Sequence, residues 1–219
     1  MYTLAFDTTS SNCSIALLSG NKVLDKFEQE MEFGQAEVLM PQINKMLDQQ
    51  KLRFADLGLL CVCIGPGSFT GVRSSIAATR AFSLASPQLS VTGVSAFEAY
   101  MQSLDDFDLS SYNAVIIETK RDDFYFQLFN GKREKISDTE ALSYEQIIDT
   151  LKGKTVSLIG NGVERFLEKP SGLVLHSIHM EKNLPIISLA ECGLQKYNAH
   201  KLNYPKPLYL RAPDVCVKS

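Results

Sequence analysis

Apolar and polar positions along the chain fall into two periods. Tyr2–Phe6 is an apolar run closed by the polar string Asp7-Thr8-Thr9-Ser10-Ser11-Asn12. Cys13–Leu18 is a second run, and after the turn signal Ser19-Gly20-Asn21 a third strand is predicted over Lys22–Glu30. Val38, Leu39, Ile43, Met46 and Leu47 then recur at helical spacing and predict a helix over Gln35–Gln50. Pro41 has no N–H to donate, so it has to stand near the first turn or kink the helix. Leu57–Ile64 is continuously apolar, as in a strand buried on both faces, and stops at Gly65-Pro66-Gly67. Thr70–Ala85 reads as a helix rich in small residues and Ser90–Val94 as a strand. Ser95-Ala96-Phe97-Glu98 is a capping box opening a helix to about Ser103.

After the polar stretch Asp105–Ser111 the pattern restarts. Strands are predicted at Ala114–Ile117, Phe124–Phe129 and Lys132–Ile136, the last two joined by the hairpin signal Asn130-Gly131. A helix opens at Ser143-Tyr144-Glu145-Gln146. Thr155–Ile159 is a strand ending in Gly160-Asn161-Gly162. A short helix, a strand at Leu173–His176 and a helix near Ile186–Asn198 follow. Both halves thus read three strands, helix, strand, helix, strand, helix. A constant offset of 111 lays Asp7-Thr8-Thr9 on Glu118-Thr119-Lys120, Leu17 on Leu128 and Gly20 on Gly131, and Ile64-Gly65-Pro66-Gly67 matches Ile159-Gly160-Asn161-Gly162. A repeat of this length means two similar subdomains, 1–104 and 105–219. Two such βββαβαβα units facing each other form the α/β, duplicated actin-like (ASKHA) arrangement.

The 219 residues suit one large or two small domains, and 45% hydrophobic against 21% charged is an ordinary globular composition. A net charge of −3 excludes a protein that grips nucleic acid over its whole surface, while leaving a local basic patch open. The N-terminus has no basic leader, and no apolar run approaches the roughly 18 residues of a membrane span. The five cysteines, Cys13, Cys61, Cys63, Cys192 and Cys216, are odd in number and form no C-x-x-C, so reduced thiols in a cytoplasmic protein are expected.

Asp7, Thr8, Thr9 and Ser10 are candidates for holding a nucleotide phosphate and, through water, a magnesium ion; equally, such residues hydrogen-bond their own backbone in a turn. Gly65-Pro66-Gly67-Ser68-Phe69-Thr70-Gly71 is a glycine loop before a helix but not a Walker loop, because Val72-Arg73 stand where lysine and a hydroxyl belong. Its glycines serve either an anion or a tight strand-to-helix turn. His176-x-x-His179 brings two imidazoles near one another without a third ligand at metal spacing. The tail Tyr204-Pro205-Lys206-Pro207-Leu208-Tyr209-Leu210-Arg211 interleaves basic and aromatic residues, which suits either RNA or an extended strap lying on the body. Surplus apolar rows on Gln35–Gln50 and small residues on Thr70–Ala85 suggest a helix-on-helix contact with another subunit.

The string Gly65-Pro66-Gly67-Ser68-Phe69-Thr70-Gly71-Val72-Arg73, the N-terminal Phe6-Asp7-Thr8-Thr9 and the tail motif Tyr204-Pro205 with Tyr209-Leu210-Arg211 resemble the TsaB family of bacterial tRNA threonylcarbamoyladenosine proteins, formerly grouped with glycoproteases. The resemblance covers nearly the whole chain. It implies the duplicated actin-like fold and no catalysis, cofactor or metal of the chain's own. It implies a scaffold for a TsaD-like catalytic subunit, joined by a TsaE-like ATPase, with ATP or ADP and metal in those partners. tRNA is then met only as part of the complex, a homodimer can form through the same helices, and no membrane is involved. The implied interface is Val38, Leu39, Ile43, Met46 and Leu47 on one helix and Val72, Arg73, Ile76 and Arg80 on the next. Three departures stand out. No histidine precedes His176, Glu118-Thr119-Lys120 stands where relatives usually read Asp-Ala-Arg, and Ser74-Ser75 replaces an Ile-Gly pair. The competing expectation is an actin-like ATPase or phosphotransferase acting alone, drawn from Asp7-Thr8-Thr9 and the two glycine turns. A peptidase has no activated nucleophile behind it.

Overall fold

The computed structural model describes residues 1–31 and 33–211. The first half folds as β1 (Tyr2–Ser10), β2 (Asn12–Ser19), β3 (Lys22–Glu30), α1 (Gln35–Gln49), β4 (Leu57–Cys63), α2 (Phe69–Ala85), β5 (Ser90–Val94) and α3 (Ala96–Ser103). The second repeats it as β6 (Tyr112–Glu118), β7 (Asp123–Asn130), β8 (Glu140–Ser143), α4 (Tyr144–Leu151), β9 (Thr155–Ile159), α5 (Val163–Leu167), β10 (Val174–His179) and α6 (Ile186–Asn198). The sheets run β3-β2-β1-β4-β5 and, read from the matching edge, β8-β7-β6-β9-β10. In each, a three-strand antiparallel meander is extended by two parallel strands. The fold is therefore the duplicated α/β actin-like arrangement that the repeat predicts.

Strand alternation divides each sheet's side chains between an outer and an inner core. Leu4, Phe6, Ile15, Leu17, Leu60 and Val62 face outward beneath α1 and α2. Ala114, Ile116, Phe126 and Leu158 do the same beneath α4 and α5. The inner faces meet at a central layer of α3 and α6, where Ala5, Cys61, Cys63, Phe97, Val115, Ile117 and Leu189 share one cluster. Although α6 belongs by chain order to the second half, it packs on β1, β2, β4 and β5 of the first. It comes close enough that a Cβ on Gly193 would lie 2.0 Å from Cys61 Sγ. The 104/105 boundary thus divides the chain but not its central core.

The same alternation corrects the offset of 111. That offset would lay Ala5, on the inner face, onto Ile116, on the outer face. The register instead sets Leu4 opposite Leu17 and Ala114 opposite Leu128, so the first strands correspond with a shift of 110, and Thr8, not Asp7, stands where Glu118 stands. An odd slip reverses every side chain, which similarity of short apolar strings does not register.

Other boundaries moved as well. The expected turn at Asp7 is strand, because β1 continues to Ser10 and pairs across Ser10–Asn12 after a bulge. Lys132–Ile136 is not the third strand of its meander; it forms one isolated bridge, Phe129 to Lys135, and the strand lies at Glu140–Ser143. The last strand is Val174–His179 rather than Leu173–His176. Pro41 is neither in the first turn nor a break: it sits inside the 15-residue α1, on its exposed side. There the carbonyl freed of its helical partner can face water.

Candidate functional site

A cleft of about 640 Å³ opens between the lobes. Its first-lobe wall is the end of β1 and the start of α2, Thr8 to Ser11 and Pro66 to Gly71; its second-lobe wall is Glu118, Thr119, Lys120 and Asn161. The two glycine turns therefore do face a common cleft.

Asp7 is not on that surface. It is wholly buried on the inner face of β1, where its carboxylate accepts from Thr9 N (2.9 Å) and Ser10 Oγ (3.3 Å). Burial pushes its carboxyl above the ordinary value, against the lowering effect of the Thr9, Cys63 and Ser10 hydrogen bonds. Thr8 points the other way and ties α2 to the strand: its hydroxyl donates to Gly71 O (2.9 Å) and lies 2.7 Å from Ser75 Oγ. Thr9 Oγ1 lies 3.5 Å from Cys63 Sγ.

The glycine loop has a packing task of its own. A Cβ on Gly67 would stand 2.3 Å from Thr9 O, and one on Gly71 only 1.9 Å from Thr8 O. Ser68 N donates to Thr9 O at 2.6 Å, and Ser68 Oγ accepts from Gly71 N as the cap of α2. The glycines let the helix start lie directly on the backbone of β1.

Across the cleft, Glu118 accepts a two-pronged bond from Arg165 of α5, 2.6 Å to Nε and 2.9 Å to Nη2, with the Arg165 guanidinium 3.8 Å over the Phe124 ring. Asn161 Oδ1 takes the Glu118 N–H at 3.0 Å. Lys120 Nζ reaches back to Ser11 Oγ at 3.0 Å and joins the two walls. The carboxylates of Asp7 and Glu118 are thus committed to holding their own lobes. Asn161 is legible in the sequence only as the middle of the second glycine turn, and the only trace of Arg165 is a lone cation in a short helix behind that turn.

The helix candidates separate by face. Leu39, Ile43, Met46 and Leu47 are 0–3% exposed and belong to the outer core of the first lobe, and Val72 (1%) and Ile76 (3%) are equally buried on α2. In the single chain these side chains are covered by the chain itself and leave almost no surface open. Val38 is half-buried against the same cluster. Arg73 and Arg80 are exposed but face the tail: Arg73 Nε donates to Tyr209 Oη (3.1 Å) and stacks 3.7 Å over Phe69, and Arg80 lies 5.8 Å over Tyr204. The open face beside them carries Met40, Ala77, Ala81 and Leu84, with Phe33 preceding α1; Leu84 and Phe33 are 83% and 84% exposed. The signal for Leu84 was present in the sequence, as a large apolar residue on the otherwise polar and small side of α2.

The remaining candidates do not gather. His176 and His179 stand three apart on a strand and so on opposite faces, His176 beside Phe107 O and His179 3.4 Å from Asp108. Among the described residues no cluster of three His, Cys, Asp or Glu could hold a metal ion. Cys13, Cys61, Cys63 and Cys192 are buried free thiols, and burial raises each, Cys13 to about 11 and Cys192 to about 12. Cys216 lies outside the described residues. The tail is an extended strap: Asn203 O accepts from Gly93 N, Leu208 N donates to Ile64 O, Pro205 is buried, and Arg211 pairs with Asp123. No helix among the described residues is long and apolar enough to cross a membrane.

A duplicated two-lobed α/β chain with a cleft between its lobes and an exposed apolar helix face defines an actin-like protein, and the comparisons sharpen this. The family model for TsaD, tRNA N6-adenosine threonylcarbamoyltransferase, matches residues 34–166. Proteins named tRNA threonylcarbamoyladenosine biosynthesis protein TsaB are similar over nearly the full length. That of Haemophilus influenzae is 30% identical, covering 95% of this chain and 92% of its own. That of Escherichia coli is 28% identical over 96% and 95%. The structure of YeaZ from Pseudomonas aeruginosa superposes with a TM-score of 0.80 at 22% identity, over 95% of this chain and 99% of that one. A ROK hexokinase of Thermus thermophilus shares the fold at a TM-score of 0.51 and 11% identity. The chain belongs to the TsaB family of tRNA threonylcarbamoyladenosine biosynthesis proteins.

Proposed function

We propose that this chain acts in threonylcarbamoyladenosine formation as a binding subunit without chemistry of its own, docking a TsaD-like catalytic protein and a TsaE-like ATPase that supply the metal and nucleotide. The carrying observation is the exposed apolar face of α1 and α2, with Leu84 83% and Met40 39% exposed beside Ala77 and Ala81. Large apolar side chains on a helix pair, flanked by small residues that admit a second backbone, are what a helix-on-helix interface uses. The engaged state of Asp7 and Glu118 supports the same reading, since neither is poised to take or give a proton in the cleft. A stable interface needs on the order of 1,600 Å², which two helices from each partner supply. The same face admits a second copy of the chain, so a homodimer and the heterodimer exclude one another.

Light scattering on a sizing column, with the chain alone and mixed with the TsaD-like protein of the same cell, tests this. A one-to-one complex is expected, with any homodimer dissolved by the partner. Leu84→Asp should weaken pairing at least tenfold while changing folding stability by less than about 0.5 kcal/mol. Leu39→Asp, by contrast, puts a charge into the outer core and unfolds the lobe. Undiminished pairing by a folded Leu84→Asp protein would remove the helix pair from the interface.

A further inference from the structure

A second surface lies along the C-terminal strap. Two adjoining hollows, of about 960 and 620 Å³, share the side chains of Glu98, Lys135 and Lys196 and form one groove. Its walls are the loop between β7 and β8, the end of α6 and the C-terminal strap. The groove gathers six basic side chains against three acidic ones, in a chain whose net charge is −3. The positive charge is therefore concentrated here and offset elsewhere.

Three of the cations stabilise the groove itself. Lys135 and Lys196 pair with Glu98 at 3.3 and 3.2 Å, and Arg133 pairs with Asp106 at 2.8 Å. Burial pushes the Glu98 carboxyl up, but the two ammonium groups and the Ser95 hydrogen bonds outweigh it and hold it below its ordinary value. The other three, Lys132, Lys201 and Lys206, are exposed and make no side-chain hydrogen bond or ion pair among the described residues. At the base of the groove Gln127 is 2% exposed; its Nε2 donates to Ser137 O, while its Oε1 is buried without a donor. A buried acceptor without a partner costs about 1–3 kcal/mol, and this one lines the groove. Tyr204, 53% exposed, stands on the rim.

From this we infer that the groove binds the sugar-phosphate backbone of RNA: Lys132, Lys201 and Lys206 contact phosphates, Tyr204 stacks on a base, and Gln127 Oε1 accepts from a 2′-hydroxyl or an exocyclic amine. Free ammonium groups flanking an exposed aromatic ring are the elements of single-stranded nucleic-acid grooves. A small anion would leave most of the groove empty. The inference rests on the proposed role in tRNA modification for the choice of polyanion, and it adds a substrate contact to a subunit otherwise read as a scaffold. The strap also touches α2: the Tyr209 and Phe69 rings are 5.3 Å apart, and Arg80 lies 5.8 Å over Tyr204, so the groove begins beside the docking face.

The test is the triple variant Lys132→Glu, Lys201→Glu, Lys206→Glu, compared with wild type as full chain and in complex with the TsaD-like protein, using unmodified tRNA at several salt concentrations. The slope of log affinity against log salt should fall by about two, since each phosphate contact with a single strand contributes roughly 0.7. Affinity at low salt should fall at least tenfold. Gln127→Leu should weaken binding several-fold with no change in slope. Light scattering on the same samples reads assembly separately, so a lost complex with intact RNA binding counts against the scaffold reading alone. Equal affinity and slope for wild type and a folded triple variant, in both forms, would overturn the groove, as would inorganic phosphate at millimolar concentration displacing the RNA completely.

Discussion

The two lobes attach an outer helix to the end of their first strand, and they do so with different chemistry. In the first lobe a hydroxyl and a glycine are used: Thr8 binds Gly71 O and Ser75, and α2 lies so close that a Cβ on Gly71 would fall 1.9 Å from Thr8 O. In the second lobe a charged fork is used: Glu118, at the equivalent position, holds Arg165 of the five-residue α5. There a Cβ on Gly162 would have 3.0 Å to the strand backbone, while one on Gly160 would fall 2.2 Å from Ile116 O. A 17-residue helix has enough apolar surface to stay in place once its start is docked, whereas a single short turn needs a directed polar tether. The difference teaches that an acid in the cleft of an actin-like fold need not be catalytic. Glu118 adds a charged tether to the helix start behind the second glycine turn.

Substitutions can break this contrast. The largest effect is expected from Gly71→Ala, where backbone meets backbone: a loss of about 3 kcal/mol or more in urea unfolding, against about 1 kcal/mol for Gly162→Ala. Equal losses would mean that the two helix starts are docked alike. Next comes Arg165→Ala, expected to cost about 1–2 kcal/mol because the pair is partly exposed, with Arg165→Lys recovering less than half for want of the two-pronged geometry. If lysine restored stability fully, the tether would be a point charge and not a fork.

The smallest effect concerns Asp7. Its folded-state pKa lies above the ordinary 3.8, so the folded protein binds this proton more tightly than the unfolded chain does. Stability from this group is therefore present below pH 3.8 and is lost as the pH rises through the raised folded value. Asp7→Asn should leave stability near neutrality equal or slightly higher and flatten the decline that begins above pH 4. Thermal melts across pH 4 to 8 check it. A marked destabilisation by Asp7→Asn at pH 7 would show that the ionised form is needed, which would reopen the cleft to a cation.

Much of the fold was legible because hydrophobic period reports directly on which faces are buried. The order of sixteen strands and helices, the duplication and the two glycine turns all follow from periodicity and turn chemistry. The specific strings Gly65 to Arg73 and Tyr204 to Arg211 carried the family. A helix with two apolar rows does not say which row its own sheet takes. Leu39, Ile43, Met46 and Leu47 turn inward, and the tertiary structure leaves Met40 and Leu84 outside.

The sequence by itself determined the architecture and the family, since local period, turn residues and long motifs are properties of neighbouring positions. Only the tertiary structure decided what the polar residues do. Whether Asp7 faces a cleft or a core depends on a single residue of strand parity, and the strand's own letters leave that open. Which carboxylate meets Arg165, which lysines stay unpaired around Gln127 and how α6 crosses to the first sheet depend on contacts between segments far apart in the chain. Such contacts are set by the packing of the whole molecule, and no window along the sequence contains both partners.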